Sequence, residues 1–370
     1  MAEPLPTVHV DLEPGWRGGQ RQVFLLCTGL ARRGHPVTLL ARRGGELARR
    51  AAAAGLTVAE TPVSGGFDPR AVHALLGTVR RHRPAVVGLH SSRSHSVAAA
   101  ARLLSGAGRP LFVVTRRVDF APGRDPVNRW KYRRGADGYI AISRAVEREL
   151  LGAGVPPERV RIVRSGVVPP EVPPDARREL RGELGIADDT PLLGVVAALT
   201  DHKGHRYLLD AMPRILGAFP KTVLVLAGAG ELRDELEEQA RALGIAAAVR
   251  FLGYRDDVPR ILGGLDLFVL PSKLEGLGTS VVDAMLAGVP VVATRAGGLP
   301  ELVEDGVTGL LAEPRSPESL AERILRALGD PDLRSRLAER ASAVAGERFT
   351  ADAMVEGTLD AYREFLATSR

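Results

Sequence analysis

The 370-residue sequence is poor in cysteine, in aromatic residues and in long apolar runs, and each shortage excludes a class of protein. A single cysteine, Cys27, excludes a disulfide framework and fits a reducing compartment. Aromatic residues make up 4% of the chain, too few for the stacking surfaces that bind single-stranded nucleic acid. The chain lacks an apolar run of membrane-spanning length and a basic leader. We therefore expect a cytoplasmic protein without a signal peptide that binds no nucleic acid.

The charge is unevenly divided along the chain. Residues 1–170 carry 27 Lys and Arg against 12 Asp and Glu, a net charge of +15. Residues 171–370 carry 23 against 32, a net charge of −9. A basic half favours an anionic partner, either an anionic membrane surface or an anionic acceptor. Codon bias is the alternative explanation, because only four of the 50 basic residues are lysines.

Short apolar runs alternate with amphipathic segments throughout, which predicts an α/β fold built on parallel sheets. Residues 167–174 hold four prolines, which is typical of a semi-rigid linker. We predict an N-terminal Rossmann-like domain over residues 1–168 and a C-terminal Rossmann-like domain over 169–350, with the linker at 169–176. The amphipathic helix predicted within 351–370 is expected to dock back on the N-terminal domain.

The clearest candidate site follows the apolar run 265–270, which is predicted to be a buried strand. A glycine-rich loop carrying Glu275 leads into a short helix that is expected to start near Ser280. A ligand is expected at this strand end, and the free N–H groups of the helix favour an anion. Glu275 and Asp283 can face the same ligand at this strand end and accept hydrogen bonds from the hydroxyl groups of a polyol. Asp283 has an alternative role as part of a capping box with Ser280.

Two further side chains follow predicted strands. Lys203 comes after the strand 192–197 and could neutralise a phosphate, although a solvated loop lysine is the alternative. His90 ends the strand 85–89 and could bond an acceptor hydroxyl or share a proton. The alternative for His90 is a polar loop residue.

Two glycine pairs precede predicted helices. Gly18 and Gly19 would let the backbone approach a ligand closely, or they form a plain turn between strand and helix. Gly228 and Gly230 form half of a dinucleotide fingerprint, but Arg233 stands where the third glycine would be. Arg233 could contact phosphate or pair with Glu237 one turn later. The sequence has no Cys and His set with metal-ligand spacing and no Walker loop, so no metal site is predicted.

In their order and spacing these motifs closely resemble those of the family 4 glycosyltransferases. Residues 275–278, 283–294 and 297–301 resemble the family's E-x7-E region. The other matching segments are spread over nearly the whole chain: 18–19, 34–37, 140–143, 165–167, 203–204, 228–230 and 251–253. The resemblance implies the GT-B architecture, in which two Rossmann-like domains face each other across a cleft. It also implies retaining sugar transfer from a nucleotide sugar, without a bound metal or another cofactor.

Carried over by position, the resemblance assigns a role to each candidate. Glu275 would hold the sugar hydroxyls and Asp283 the ribose hydroxyls, while Lys203 would neutralise the leaving diphosphate. His90 is the third predicted catalytic residue, beside Lys203 and Glu275. The remaining predicted donor-binding residues are Gly276, Leu277, Gly278 and Thr279 at the diphosphate, Phe251 and Leu252 at the base, Gly18 and Gly19 closing on the phosphates, and Gly228, Gly230 and Arg233.

The chain departs from the family pattern at three positions. Asp283 replaces the family's second glutamate and is one methylene shorter. Ala198 stands where the family usually has an arginine five residues before its lysine, and Arg233 or Arg17 could supply the missing charge. Arg116 follows its strand where many relatives place a histidine.

The sequence therefore predicts a retaining glycosyltransferase that transfers a sugar from a nucleotide sugar, with a UDP-sugar favoured over GDP- or ADP-sugars. Its expected acceptor is a cell-envelope glycan or lipid-linked molecule such as lipopolysaccharide, reached peripherally at the inner face of the cytoplasmic membrane. One alternative is a non-catalytic nucleotide-sugar-binding protein that acts as a partner subunit, which the alanine at position 198 motivates. A GT-B epimerase or phosphorylase is a third possibility.

Overall fold

The computed structural model describes residues 3–65, 67–106, 108–118, 120–123 and 125–368. The chain divides into two compact units. The first comprises Met1–Val167 together with Ala351–Arg370, and the second comprises Val168–Thr350. Each unit is built on one parallel sheet, so the α/β fold class is confirmed.

The first unit contains a seven-stranded parallel sheet in the order β3-β2-β1-β4-β5-β6-β7. Its strands are β1 (Thr7–Asp11), β2 (Val37–Arg42), β3 (Thr57–Thr61), β4 (Val86–Leu89), β5 (Leu111–Arg116), β6 (Gly138–Ala141) and β7 (Val160–Ile162). Its helices up to this point are α1 (Gly18–Arg32), α2 (Glu46–Ala53), α3 (Pro69–His82), α4 (Ser92–Leu103), α5 (Pro126–Arg134) and α6 (Arg144–Gly152). The central strand β1 is buried along its whole length, as expected for a sheet covered by helices on both faces.

The second unit contains a six-stranded parallel sheet in the order β10-β9-β8-β11-β12-β13. Its strands are β8 (Leu192–Val196), β9 (Val223–Ala227), β10 (Val249–Gly253), β11 (Leu267–Leu270), β12 (Val291–Thr294) and β13 (Leu310–Ala312). Its helices are α7 (Ala176–Leu184), α8 (His205–Ala218), α9 (Arg233–Ala242), α10 (Val258–Gly264), α11 (Thr279–Leu286), α12 (Leu299–Leu302), α13 (Pro317–Gly329) and α14 (Pro331–Arg348).

The last helix, α15 (Ala351–Thr368), belongs to the first unit. It buries Val355, Tyr362 and Phe365 in the cluster that packs against the first sheet. Two glycines make this approach possible, because a Cβ atom on Gly29 would lie 2.5 Å from Val355 Cγ2 and one on Gly138 would lie 2.8 Å from Phe365 Cε2. Burying each large apolar side chain stabilises the packing by about 1.5–3 kcal/mol.

Two helix boundaries differ from the sequence prediction. Helix α1 begins at Gly18, so Gly18 and Gly19 are its first residues and not a loop before it. Helix α11 begins at Thr279 with Gly278 as its N-cap, and no side chain caps it. The capping box between Ser280 and Asp283 is therefore wrong, since both residues lie inside the helix. No helix in the described ranges is both long and apolar enough to cross a membrane.

Candidate functional site

The second sheet changes direction between β8 and β11. From β8 the chain continues to β9 and β10 on one side, and β11 then pairs with the other side of β8. The loops after β8 and β11 therefore diverge and leave a crevice at the carboxyl ends of the strands, where ligands of such sheets bind. Lys203 lies in the loop after β8, and Glu275 lies in the loop after β11.

The structure brings Lys203 and Glu275 into direct contact. Lys203 Nζ donates to Glu275 Oε2 at 2.5 Å, and the two side chains are 17% and 11% exposed. Ser272, which is fully buried two residues after β11, donates its hydroxyl to the same Oε2 at 3.1 Å. An ion pair this far from water needs good geometry to offset its desolvation. The pair places a cation and a carboxylate side by side at the sheet's switch point.

The two loops that carry this pair are held together by their backbones. The N–H groups of Lys273 and Leu274 donate to His202 O at 2.9 and 3.3 Å. Gly204 follows Lys203 with φ +69°, and a Cβ atom there would lie 2.0 Å from Pro271 O. Only glycine combines this left-handed conformation with so close an approach. The contact fixes the loop of Lys203 against the loop of Glu275.

Helix α11 points its N-terminus into the same region. Gly278 has φ +97°, and a Cβ atom there would lie 2.6 Å from Leu299 Cδ2, too close for any other residue. The first turn has no side-chain cap, and the N–H groups of such a turn favour an anion, although the N–H of Val281 already donates to Gly278 O at 2.9 Å. Leu277 is buried, so it can offer a ligand only its backbone. Asp283 is also buried, one turn into the helix.

Gly228 and Gly230 have a packing role that the sequence did not indicate. A Cβ atom on Gly228 would lie 1.8 Å from Ala197 O, and one on Gly230 would lie 2.2 Å from Leu199 O. The N–H of Leu199 donates to Ala229 O at 3.0 Å across the same contact. These glycines let the segments after β8 and β9 touch. Donor binding by them stays a prediction.

Arg233 and Phe251 are neighbours in the second unit. The Arg233 guanidinium carbon lies 5.9 Å from the centre of the Phe251 ring, and Leu252 follows on the same strand, β10. Arg233 Nε also donates to Glu237 Oε1 at 2.8 Å. The structure therefore contains the pair with Glu237, which the sequence analysis gave as the alternative to a phosphate contact. This ion pair occupies Nε of the Arg233 guanidinium, the group that could supply the charge missing at Ala198.

The first sheet has its own switch point, between β1 and β4, and four polar residues gather there. Asp11 ends β1, His9 lies on it, His90 follows β4 and Arg117 follows β5. Gly19 lies next to them, because a Cβ atom there would lie 3.9 Å from Arg117 Cδ. The structure thus brings the predicted residues Gly19 and His90 to one edge of the sheet.

His90 is buried with both of its ring nitrogens in contact with polar neighbours. Arg117 Nη2 donates to His90 Nδ1 at 3.4 Å, because a guanidinium cannot accept. His90 Nε2 then carries the proton and donates to His9 Nδ1 at 2.9 Å. Burial, reinforced by the charge of Arg117, lowers the pKa of His9 to about 3, and burial beside His9 and Arg117 holds the pKa of His90 well below its usual value. Both rings are neutral near pH 7, so a substrate hydroxyl reaches His90 only by displacing a neighbour.

Sequence reasoning did not name Arg117 or Asp11 as site residues, and it noted Arg116 only as a departure from the family pattern. Arg116 is buried and donates to Tyr132 Oη at 2.5 Å, towards α5. Arg117, one residue later, faces His90. Alternation of side chains along β5 was the signal that could have separated the two.

Asp11 connects β1 to the start of α1. Its carboxylate accepts from the Glu13 N–H at 2.9 Å and from Gln20 Nε2 at 3.1 Å, and Gln20 Oε1 accepts from the Arg17 N–H at 3.2 Å. Burial raises the pKa of Asp11 to about 6, although these hydrogen bonds oppose the shift. The carboxyl group therefore titrates near physiological pH beside the glycines of α1.

We expect Asp11→Asn to change how stability depends on pH. The folded-state pKa of about 6 lies above the reference value of 3.8, so the folded state binds more protons between these values. The contribution of Asp11 to the free energy of unfolding therefore falls as pH rises from about 4 to about 6, by at most ~3 kcal/mol. Urea unfolding across this pH range gives the free energy of unfolding of wild type and variant. The contributions of the histidines cancel in the difference between the two values. If the difference in the free energy of unfolding does not change with pH, the raised pKa of Asp11 is contradicted.

The described ranges contain no group of three or more His, Cys, Asp and Glu side chains arranged to hold a metal ion. What the second unit does offer at its switch point is a lysine, a carboxylate and a helix N-terminus. Such a set can bind an anion and neutral hydroxyl groups side by side.

Comparison with known proteins identifies the family. The model of the Glycosyltransferase Family 4 matches residues 16–169, and that of the Glycosyl transferases group 1 matches residues 176–344. The alpha-D-kanosaminyltransferase of Streptomyces kanamyceticus is 31% identical over 310 residues, which cover 80% of this chain and 74% of that protein. The chain belongs to the family 4, group 1 glycosyltransferases.

Other relatives of the chain match over a shorter span. An uncharacterized glycosyltransferase of Methanocaldococcus jannaschii is 32% identical, over 60% of this chain and 59% of the relative. The lipopolysaccharide core biosynthesis glycosyltransferase LpsE of Rhizobium meliloti is 34% identical, over 51% of this chain and 53% of the relative. The chain thus spans little more than half the length of these two proteins.

Solved structures establish the fold of the chain. Anabaena HepE in complex with UDP-glucose superposes with a TM-score of 0.85 at 24% identity, covering 98% of this chain and all of that one. A glycosyltransferase from Rickettsia africae superposes with a TM-score of 0.83 at 18% identity, covering 99% of each chain. The chain has the two Rossmann-like domains of the GT-B fold.

Proposed function

We propose that this protein is a retaining glycosyltransferase that transfers a sugar from a UDP-sugar to a cell-envelope glycan or lipid-linked acceptor. The observation that carries the proposal is the contact between Lys203 Nζ and Glu275 Oε2, 2.5 Å apart at the switch point of the second sheet. The contact holds a cation, which can neutralise a phosphate, next to a carboxylate, which can accept hydroxyl hydrogen bonds. A nucleotide sugar presents a diphosphate and sugar hydroxyls side by side, which such a pair of groups can bind.

Transfer builds negative charge on the diphosphate that leaves. Lys203 and the N-terminus of α11 offer fixed positive charge to it, which lowers the barrier because no group has to reorganise during the reaction. Glu275 holds the sugar hydroxyls. Asp283, one turn into α11, holds the ribose hydroxyls. These charges make transfer independent of a bound metal in our proposal, so activity is expected to persist in EDTA.

UDP-glucose is the first donor to test, because HepE was solved in complexes with UDP and with UDP-glucose. The name of LpsE connects a relative to lipopolysaccharide core biosynthesis, which supports the choice of a cell-envelope acceptor. The basic first half of the chain supports action at the inner face of the cytoplasmic membrane. Cys27, buried and unpaired, is compatible with a cytoplasmic location.

A thermal-shift comparison tests the donor assignment. A ligand that binds only the folded state raises the melting temperature by mass action. UDP-glucose is expected to raise it more than GDP-glucose or ADP-glucose, whereas uridine, which lacks the diphosphate, serves as the matched control and is expected to raise it least. No shift with any of the three nucleotide sugars would contradict the proposed donor site.

A further inference from the structure

A cavity distinct from both switch points lies on the first unit. Its volume is about 380 Å³, within the range of small-molecule sites. One wall is helix α5, and the other is the segment between α6 and β7. The side chains that matter for its chemistry are Arg129, Trp130, Arg133, Arg134, Pro156 and Arg159.

The four arginines that line this cavity have exposed side chains. Among the described residues, none of the four guanidinium groups takes part in an ion pair or in a side-chain hydrogen bond. Close by in the chain, Arg102 and Arg109 both pair with Asp137, with the Arg109 contact at 2.7 Å. Arg161, two residues after Arg159, pairs with Glu364 at 2.5 Å. Asp137 and Glu364 are therefore already engaged by other arginines.

Four like charges around one cavity repel one another, only weakly because the side chains are exposed to water, and a bound anion would relieve that repulsion. Guanidinium groups match the oxygens of phosphate in a bidentate manner, which makes arginine the preferred residue for such groups. The half-buried indole of Trp130 and the ring of Pro156 add an apolar wall beside the charges. The cavity thus combines several phosphate-binding groups with a surface for the carbon skeleton that carries the phosphate.

We propose that this arginine cavity is a binding site for a phosphate-bearing ligand. The assignment does not depend on the transferase activity, because none of its residues belongs to the Lys203 and Glu275 site or to the cluster around His90. The same chemistry can come from an anionic lipid headgroup or from a soluble phosphorylated molecule.

The chain provides its own reporter for binding. It contains two tryptophans, Trp16 and Trp130, so a Trp16→Phe background leaves the cavity residue as the only indole. The probe is inorganic pyrophosphate, titrated while Trp130 fluorescence is recorded. The test variant is Arg129→Gln with Arg133→Gln. The matched control, Arg80→Gln with Arg81→Gln, removes the same charge from an exposed end of α3 in the same unit.

We expect a saturable fluorescence change whose apparent Kd rises at least about tenfold in the cavity variant and stays near the wild-type value in the control. Cosedimentation with phosphatidylcholine vesicles, with and without phosphatidylglycerol, identifies the source of the phosphate. Loss of phosphatidylglycerol-dependent binding only in the cavity variant assigns a lipid headgroup, and retention of it assigns a soluble ligand.

Two results would overturn the proposal. One is equal weakening in both double variants, which would show a general effect of charge. The other is the absence of a saturable response to pyrophosphate together with identical vesicle binding by the two variants. Neither result would affect the donor site, which the thermal-shift comparison tests separately.

Discussion

Glu275→Gln is expected to lower kcat/KM for sugar transfer from UDP-glucose by about 10²–10³-fold while leaving the fold intact. Glutamine keeps the size of the side chain but loses the charge that Lys203 Nζ contacts at 2.5 Å. It is also a weaker acceptor for sugar hydroxyls than an ionised carboxylate. UDP release in the presence of acceptor, measured over a range of donor concentrations, gives kcat and KM.

Lys203→Met is expected to cause a loss of similar size, because it removes the charge that stabilises the leaving diphosphate. The two residues act as a unit, so the double variant should lose little more than the worse single variant. Lys221→Met is the matched control, since it removes an exposed lysine whose ion pair with Asp189 spans 3.0 Å in the same unit. Full activity of Glu275→Gln, or losses that multiply in the double variant, would show that the pair does not work together at the donor.

Gly204→Ala is expected to lower the free energy of unfolding of the second unit by about 2–4 kcal/mol and to abolish most activity. The added Cβ atom would meet Pro271 O at 2.0 Å in a left-handed backbone conformation. The loop carrying Lys203 must then move away from the loop carrying Glu275. Urea unfolding and UDP release measure the two effects.

Gly217→Ala controls for the glycine replacement itself. Gly217 lies in α8 of the same unit, and a Cβ atom there would meet nothing within 4 Å. Alanine is the better helix former by up to about 1 kcal/mol, so this variant should be slightly more stable and fully active. Equal stability changes in the two variants would contradict the role given to the contact between Gly204 and Pro271.

The sequence predicted the elements of the donor site better than their contacts. The apolar runs before Lys203 and Glu275 were long enough to identify β8 and β11, and the ends of parallel strands meet at one edge of a sheet. That β8 and β11 are neighbours depends on the strand order, which local patterns do not determine. The distance between the two side chains could therefore be known only from the structure.

Contacts across the first sheet were the least predictable. His90 touches His9 and Arg117, residues separated from it by 81 and 27 positions, and no local pattern connects them. The choice between Arg116 and Arg117 depends on which face of β5 each side chain occupies. The close approaches at Gly228 and Gly230 were hidden for a similar reason, since a glycine pair before a helix suits both ligand binding and backbone packing.

The most direct test of the central claim is turnover of UDP-glucose by the purified protein in the presence of a cell-envelope extract. The account predicts UDP release that requires the extract, an α-linked product because the configuration is retained, and the loss of both in Glu275→Gln. Saturable binding of UDP-glucose without UDP release would contradict it and would favour the non-catalytic nucleotide-sugar-binding protein.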